Sequence, residues 1–122
     1  MDGLRDLRRM VQEGRVKETE FQSQVIELAR TPGWRVAHFR TVRVLRGNGA
    51  VRYMTPVQAD GAGFPDLFMV RRERAIAAEL KRQTGSTTSE EQKEWLARLE
   101  ETPVETYKWR PSDWDQIVTI LR

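Results

Sequence analysis

One stretch near the middle of the chain, GFPDLFMVRRERAIAAELKRQTG over residues 63–85, constrains the fold more than any other. It contains two mainly apolar runs, residues 64–70 and 75–81, which are separated only by the charged segment 71–74. Short apolar runs bounded by Gly, Pro and polar residues are typical of buried strands. We therefore predict two adjacent strands joined by a charged turn.

The charged residues of this stretch lie near one end of the two predicted strands. Side chains alternate along a strand, so Glu79 and Lys81 point to one face, while Ala78 and Leu80 point to the other. Asp66 lies thirteen residues before Glu79, across the turn, so pairing of the strands would bring it to the same edge of the sheet. An ordinary cross-strand ion pair is one interpretation. Because the surrounding runs are apolar, unexplained charge there would be costly, which favours a functional cluster.

Two carboxylates and one ammonium in a small site suit phosphodiester hydrolysis. Two carboxylates can hold Mg²⁺ through oxygen ligands and leave positions open for water and phosphate. The metal acidifies the bound water and stabilises charge on the phosphate. Lys81 can orient the water or offset charge on the scissile phosphate. Because a Lys packed against two carboxylates stays charged, a neutral Lys81 acting as general base is the weaker assignment.

The rest of the chain predicts helices on the faces of a mixed sheet, which is an α/β or α+β arrangement. Helices are expected over residues 2–12, 18–30, from 89 to near 103, and 111–121, from apolar spacing and from helix start and stop signals. Strands are expected over residues 34–42 and 104–109, and a hairpin over residues 42–55, where Gly47-Asn48-Gly49 suits a turn with positive φ.

Composition and charge narrow the functional classes. The chain has 39% apolar and 32% charged residues, a net charge of +3 and no cysteine, which excludes disulfides and thiolate chemistry. Residues 31–59 contain five Arg and no Asp or Glu, a pattern that can attract phosphates, although a solvated Arg-rich hairpin is the alternative. No apolar run approaches the roughly 18 residues of a membrane span, and the N-terminus lacks the core of a secretory signal. We expect a cytoplasmic protein without a membrane partner.

FPDL, followed by ELK thirteen residues after the Asp, resembles the signature of PD-(D/E)XK nucleases. With its flanking segments, this pattern resembles the VRR-NUC branch of that superfamily. The segments are EFQSQVIELARTPGWRVAHF before it, AAELKRQTGSTTSEEQKEWL around the ELK, and WRPSDWDQI after it. The resemblance covers residues 18–122. It implies one nuclease domain over residues 1–122, with a restriction-endonuclease-like αβββαβ core whose mixed central sheet is flanked by helices. Two features depart from the family pattern: an extra N-terminal helix over 1–14, which could cap the core or pair subunits, and an inserted basic hairpin.

The resemblance also implies an activity and its partners. Proteins of this family are metal-dependent endonucleases of bacteria and phages, so we expect Mg²⁺ or Mn²⁺ as cofactor and branched or duplex DNA as substrate. Short stand-alone members resemble Holliday-junction resolvases that act as homodimers in replication, repair and recombination. A monomeric nicking or flap endonuclease, or a non-catalytic DNA-binding module of the same fold, are the alternatives.

Carried over by motif, the resemblance assigns the site residues. The implied metal ligands are Asp66, Glu79, Glu20 and the backbone carbonyl of Leu80, and the implied catalytic residues are Asp66, Glu79, Glu20, Lys81 and Gln92. Glu20 is preferred on the first core helix because it shares a face with Gln24 at i, i+4. Glu18 is its rival, and a Glu in the first turn also interacts favourably with the helix dipole.

Three further assignments stay open at the level of sequence. Gln92 could belong to the site, or could serve only as the capping-box partner of Ser89. His38, which shares a strand face with Val36 and Arg40, suits a structural or substrate-contact role better than catalysis. The hairpin over 42–55 could bind DNA or contact a second subunit. The candidate phosphate contacts are Arg40, Arg43, Arg46, Arg52 and Arg82, which would position DNA without reading its sequence.

Overall fold

The computed structural model of the protein describes residues 18–39, 42–54 and 57–122, with the backbone alone at 42–44 and 52–54. The predicted N-terminal helix lies outside the described residues. The helices are α1 (Glu18–Arg30), α2 (Glu90–Glu100) and α3 (Trp114–Leu121), the last preceded by a 3₁₀ turn over Pro111–Asp113. The strands are β1 (Arg35–His38), β2 (Val42–Leu45), β3 (Val51–Met54), β4 (Leu67–Arg71), β5 (Arg74–Leu80) and β6 (Glu105–Trp109). Among the described residues, no helix is long and apolar enough to cross a membrane.

The main sheet has four strands in the order β1-β4-β5-β6. β1 pairs with β4 and β4 with β5 in antiparallel register, whereas β5 and β6 are parallel, as expected where a helix makes the connection. This is an α/β fold with an open, mixed sheet, and α2 is the crossover between β5 and β6. The two central strands are the hairpin that the 63–85 stretch predicts.

One face of the main sheet carries the core. The apolar stripe of α1, at Phe21, Val25 and Ala29, is completely buried, as its three-to-four residue spacing predicts. It packs in one cluster with Ile117 and Leu121 of α3 and with the alternate apolar residues of β5, which are Ile76, Ala78 and Leu80. Each large apolar side chain buried in this way contributes about 1.5–3 kcal/mol relative to exposure. Glu79 in β5 and Lys81 directly after it therefore point to the opposite face of the sheet. Helix α2 covers part of that face, since its Gln92 bonds both side chains.

The predicted hairpin over 42–55 is confirmed over the described residues 42–54, as a two-stranded sheet of its own. β2 and β3 pair in antiparallel register, with Leu45 opposite Val51. In the turn, Gly49 has a φ of +82°, and Asn48 accepts a hydrogen bond from the Ala50 N–H through its side chain. Of the two glycines of the turn, Gly49 therefore provides the positive φ that the sequence predicts.

β1 is shorter than the predicted strand over 34–42. Trp34 donates its main-chain N–H to the carbonyl of Ala29, 3.1 Å away, so its backbone closes the end of α1 and does not join the ladder. Its buried indole Nε1 donates to the carbonyl of Leu121 at 2.9 Å. Trp34 therefore connects the ends of α1 and α3, and the strand begins only at Arg35.

β4 begins later than predicted because the residues before it form a turn. The main-chain N–H of Phe64 donates to the carbonyl of Gly61 at 3.0 Å, and Pro65 has no N–H to donate. Strand pairing therefore begins at Leu67. The predicted closing helix also starts late, because Pro111–Asp113 form a tighter 3₁₀ turn in which the Asp113 N–H bonds the carbonyl of Arg110 at 2.8 Å.

Candidate active site

Strand register brings Asp66 beside the end of β5, as its position in the sequence predicts. Leu67 pairs with Ala78, so Asp66, one residue before β4, lies opposite Glu79. Its carboxylate Oδ2 accepts a hydrogen bond from the main-chain N–H of Leu80 at 2.8 Å. The Asp66 carboxylate thereby takes the place of a backbone acceptor just before the start of β4. This hydrogen bond fixes the position of the carboxylate.

The backbone carbonyl of Leu80 is directed to the same side as Asp66. The N–H of Lys81 bonds the carbonyl of Trp109 in β6 at 2.8 Å, so the backbone groups of Lys81 face β6. Backbone groups of successive residues in a strand point to opposite edges, and the N–H and C=O of one residue point to the same edge. Because the Leu80 N–H bonds Asp66, its carbonyl also lies on the Asp66 side.

Glu79 is a buried carboxylate with one unsatisfied oxygen. Its side chain is only 2% exposed, and Oε1 accepts from Gln92 Nε2 at 3.0 Å and lies 3.9 Å from Lys81 Nζ. Oε2 is buried, and no described protein group donates to it. Burial, and then the adjoining Asp66 carboxylate, raise the pKa of Glu79 to about 9, while Lys81 lowers this pKa. Two ionised carboxylates cannot bond each other, so this pair requires a shared proton or a cation.

Lys81 is held in place by three oxygen atoms. Its side chain is 8% exposed, and Nζ donates to the carbonyl of Thr87 and to Gln92 Oε1, both at 3.0 Å. The Glu79 carboxylate lies at the longer distance of 3.9 Å. An ammonium has three donors, and the two hydrogen bonds use two of them and fix its direction, whereas the interaction with Glu79 is an ion pair too long for a hydrogen bond. A buried charge that is paired in this way avoids the large cost of burial alone.

Gln92 is both the capping residue of α2 and a member of the site. Its Oε1 accepts from the main-chain N–H of Ser89 at 2.9 Å, while Ser89 Oγ accepts from the Gln92 N–H at 3.2 Å, which is a capping box. The same Oε1 accepts from Lys81. Since both of these partners are donors, the amide nitrogen must face the remaining neighbour, the Glu79 carboxylate. The capping role is therefore confirmed, and the same side chain bridges Lys81 and Glu79, while its role in a functional site stays a prediction.

The loop between β5 and α2, residues 82–88, contributes one hydrogen-bond acceptor to the ammonium of Lys81. Thr87 provides a backbone carbonyl, and the hydroxyl oxygen of Ser86 is buried without a described partner. Arg82 is exposed, and its guanidinium Nη2 donates to the carbonyl of Gly85 at 2.8 Å. Thr87 and Ser86 were not among the predicted site residues, because a loop carbonyl or a small hydroxyl carries no pattern that sequence alone can detect.

The two candidate acidic residues of α1 lie in different environments. Glu18 precedes Phe21 and Val25 by three and seven residues, which places it over the buried stripe, and it is partly buried. Its charge is close enough to raise the pKa of Glu79. Glu20 lies two residues further along the helix and is exposed. The preference for Glu20 as a metal ligand stays a prediction, and the electrostatic contact with Glu79 favours its rival, Glu18.

The candidate DNA-contacting arginines are only partly within the described structure. Arg40 lies outside the described residues, and so do the side chains of Arg43 and Arg52. Arg46 is exposed in the turn between β2 and β3, and Arg82 is exposed directly after Lys81. Of the five, Arg82 is therefore the one that the described structure brings beside the candidate site.

Two other basic or titratable residues have clear positions. His38 pairs with the completely buried Leu67, so it lies on the core face of the sheet and not on the face of Asp66, which suits a structural role. Lys108 pairs with Glu79 in the parallel register of β5 and β6, and its Nζ donates to Thr88 Oγ1 at 3.1 Å. Lys108 was missed from the sequence because the register of two strands separated by a helix cannot be obtained from one chain.

Comparison with protein-family models, with curated proteins and with solved structures gave no match for this chain.

Proposed function

We propose that this protein is a divalent-metal-dependent endodeoxyribonuclease with the PD-(D/E)XK core that its sequence motifs suggest. The observation that carries the proposal is the cluster of the half-buried Asp66 with the buried Glu79 and Lys81, the last two bridged by Gln92. A simple ion pair would balance one carboxylate with one ammonium. Here Glu79 lies 3.9 Å from the Lys81 ammonium, and a second carboxylate, that of Asp66, lies close enough to raise the pKa of Glu79. A buried carboxylate whose pKa is raised by burial and by a neighbouring carboxylate is typical of a functional site.

The residues present fit a divalent cation. Glu79 Oε2 is a buried carboxylate oxygen without a described donor, Asp66 lies beside it, and the Leu80 carbonyl is directed to the same side. Within the described residues, no third His, Cys, Asp or Glu side chain joins these two carboxylates to form a larger metal-binding group. The protein would thus supply two carboxylates and one backbone carbonyl, and water and phosphate oxygens would complete the coordination that Mg²⁺ or Mn²⁺ prefers. When bound, the cation supplies an acidified water and stabilises charge on the phosphate.

The side chains have separate tasks in the proposed reaction. Lys81, fixed by Thr87 and Gln92, presents positive charge where a scissile phosphate would gain negative charge. The Leu80 N–H fixes the orientation of Asp66, and Gln92 fixes that of Glu79. Because these groups are already ordered, little reorganisation is needed when the substrate arrives.

The test is cleavage of labelled duplex, flap and four-way-junction DNA with Mg²⁺ or Mn²⁺. We expect Lys81→Ala and Asp66→Asn to lower cleavage by about 10²- to 10³-fold, as removal of a charge-stabilising group does in other enzymes. Asp66→Asn keeps an acceptor for the Leu80 N–H, so the fold is preserved, which circular dichroism will verify. Lys93→Ala is the matched control, since Lys93 is an exposed lysine of α2 outside the cluster. Unchanged cleavage by Asp66→Asn would show that the site is wrongly assigned.

A resolvase-like activity would place two copies of this site on one junction. Symmetric cuts require two active sites related by two-fold symmetry. Paired cuts in a four-way junction by a protein with the mass of a homodimer would support that form of the proposal, whereas single cuts by a monomer would favour a nicking or flap enzyme.

A further inference from the structure

A mainly apolar groove of about 430 Å³ opens beside Asp66. It is lined by the rings of Phe39, Phe64 and Trp95 and by the loop of residues 57–61. The main-chain N–H of Phe39 donates to the carbonyl of Asp66 at 2.9 Å, and Phe64 precedes Asp66 by two residues. The groove is therefore adjacent to the cluster that would act on a phosphate.

The three aromatic rings form a connected but accessible group. The ring of Phe64 lies between the other two, with centroids 5.3 Å from Phe39 and 5.0 Å from Trp95, and both contacts are edge-to-face. All three side chains are only partly buried. Rings of this kind can accept a further planar group without losing the contacts that hold them.

The loop that forms the other wall is held in shape by hydrogen bonds. The N–H of Gly61 donates to the carbonyl of Gln58 at 3.0 Å, and Trp95 Nε1 donates to the carbonyl of Asp60 at 2.9 Å. The second bond attaches the loop to α2. The groove is therefore preformed, so a ligand would not have to order it.

The charge of the residues that line the groove favours an uncharged base over a phosphate as its ligand. None of the described residues that line it is a Lys or Arg, and Asp60 contributes a negative charge. A DNA phosphate would be repelled there, whereas an uncharged base would meet apolar rings and the polar side chains of Gln58 and Asp60. Base–aromatic stacking tolerates any base sequence, because every base has a planar face.

We propose that this groove holds an unpaired nucleobase of the DNA, stacked on its aromatic rings next to the phosphate at the cluster of Asp66. This inference rests on the proposed nuclease function and specifies its substrate as DNA with an unpaired nucleotide beside the cleaved bond. In a fully paired duplex the bases stay in the helical stack, and extruding one costs free energy. A branched, bulged or single-stranded substrate supplies such a base at lower cost.

The test compares binding of a duplex with one unpaired adenine against the same duplex with an abasic residue in its place. Fluorescence anisotropy in EDTA measures affinity without cleavage. We expect the wild-type protein to bind the adenine form about 5- to 150-fold more tightly, the range that stacking of one base produces. Equal affinity for the two DNAs, or no measurable binding of the adenine form, would overturn the inference.

Variants then assign the effect to the groove. Phe39→Leu should lose most of the preference for the adenine form while keeping its affinity for the abasic form. Phe68→Leu is the matched control, because Phe68 lies in the same aromatic cluster, 6.2 Å from Phe64, but does not line the groove. Val57→Glu, at a position that is 36% exposed, adds a charge to the groove without disturbing the core and should also abolish the preference. A preference that survives in both groove variants would contradict the inference.

Two outcomes separate this inference from others. If the preference for adenine holds but no DNA is cut with Mg²⁺ or Mn²⁺, the nuclease proposal fails and the base site remains. If the groove variants instead change the mass of the protein in solution and leave DNA binding unaltered, a second copy of the chain covers the groove, and the base site is refuted.

Discussion

Gly63 lies where the loop before β4 meets the first turn of α2, and replacing it with alanine should be unusually destabilising. Its φ is +83°, which costs an alanine about 1–2 kcal/mol. An added Cβ would lie 2.6 Å from the carbonyl carbon of Glu91 and 2.7 Å from the main-chain nitrogen of Gln92. Both are backbone atoms of a helix, so relief requires movement of the helix, and overpacking of this kind costs about 1–3 kcal/mol. We expect Gly63→Ala to lower the free energy of unfolding by about 2–5 kcal/mol in total.

Gly85→Ala is the control that measures the cost of a positive φ without a close approach to other backbone atoms. Gly85 has a φ of +78°, but the nearest heavy atom to an added Cβ is the flexible Arg82 Nη2 at 3.7 Å. Its cost should therefore be about 1–2 kcal/mol. Urea denaturation of both variants gives the difference, which we assign to the close approach between the loop and α2. If Gly63→Ala costs no more than Gly85→Ala, within about 0.5 kcal/mol, the reasoning from close approach is refuted.

Two further predictions concern polar groups. Gln92→Leu removes the donor to Glu79 and the acceptor for Ser89, so it should lower the free energy of unfolding by about 2–4 kcal/mol. The control Ser89→Ala removes only the helix cap and should cost about 1 kcal/mol. Equal costs of the two variants in urea denaturation would contradict the bridging role of Gln92. Hydrogen bonds from Arg74 hold the pKa of Glu105 below its ordinary value, so this carboxylate stabilises the folded protein above the unfolded-state pKa, and that stabilisation is lost as pH falls through the folded-state pKa. The stability difference between wild type and Glu105→Gln should therefore shrink below about pH 4, and a difference that stays constant with pH would refute this assignment.

The sequence was sufficient for the features that local patterns control. Helix α1 has the predicted bounds, because its apolar spacing and the Thr31-Pro32-Gly33 stop act within the segment. The capping box at Ser89 and the positive φ at Gly49 are equally local. The convergence of Asp66 and Glu79 was also predictable, since a short turn leaves few ways for the two strands to pair.

The features that sequence could not supply depend on contacts between distant segments. Lys108 lies opposite Glu79 only because β5 and β6 adopt one particular parallel register. The preference for Glu20 over Glu18 followed from neighbours on the same helix, whereas the nearness of Glu18 to Glu79 depends on how α1 crosses the sheet. The aromatic groove combines rings from three segments, which no single pattern marks as neighbours.

The shared oxygen of Gln92 also has a consequence for the dynamics of the site. Because one atom accepts from both the helix cap and Lys81, fraying of the first turn of α2 would also remove one of the two hydrogen-bond acceptors of the ammonium and leave only the Thr87 carbonyl. Helix ends open far more often than whole domains unfold. The hydrogen bond between Lys81 and Gln92 therefore lasts only as long as the first turn of α2 stays folded. Hydrogen exchange at the first amides of α2 would report how often this bond breaks while the rest of the fold stays intact.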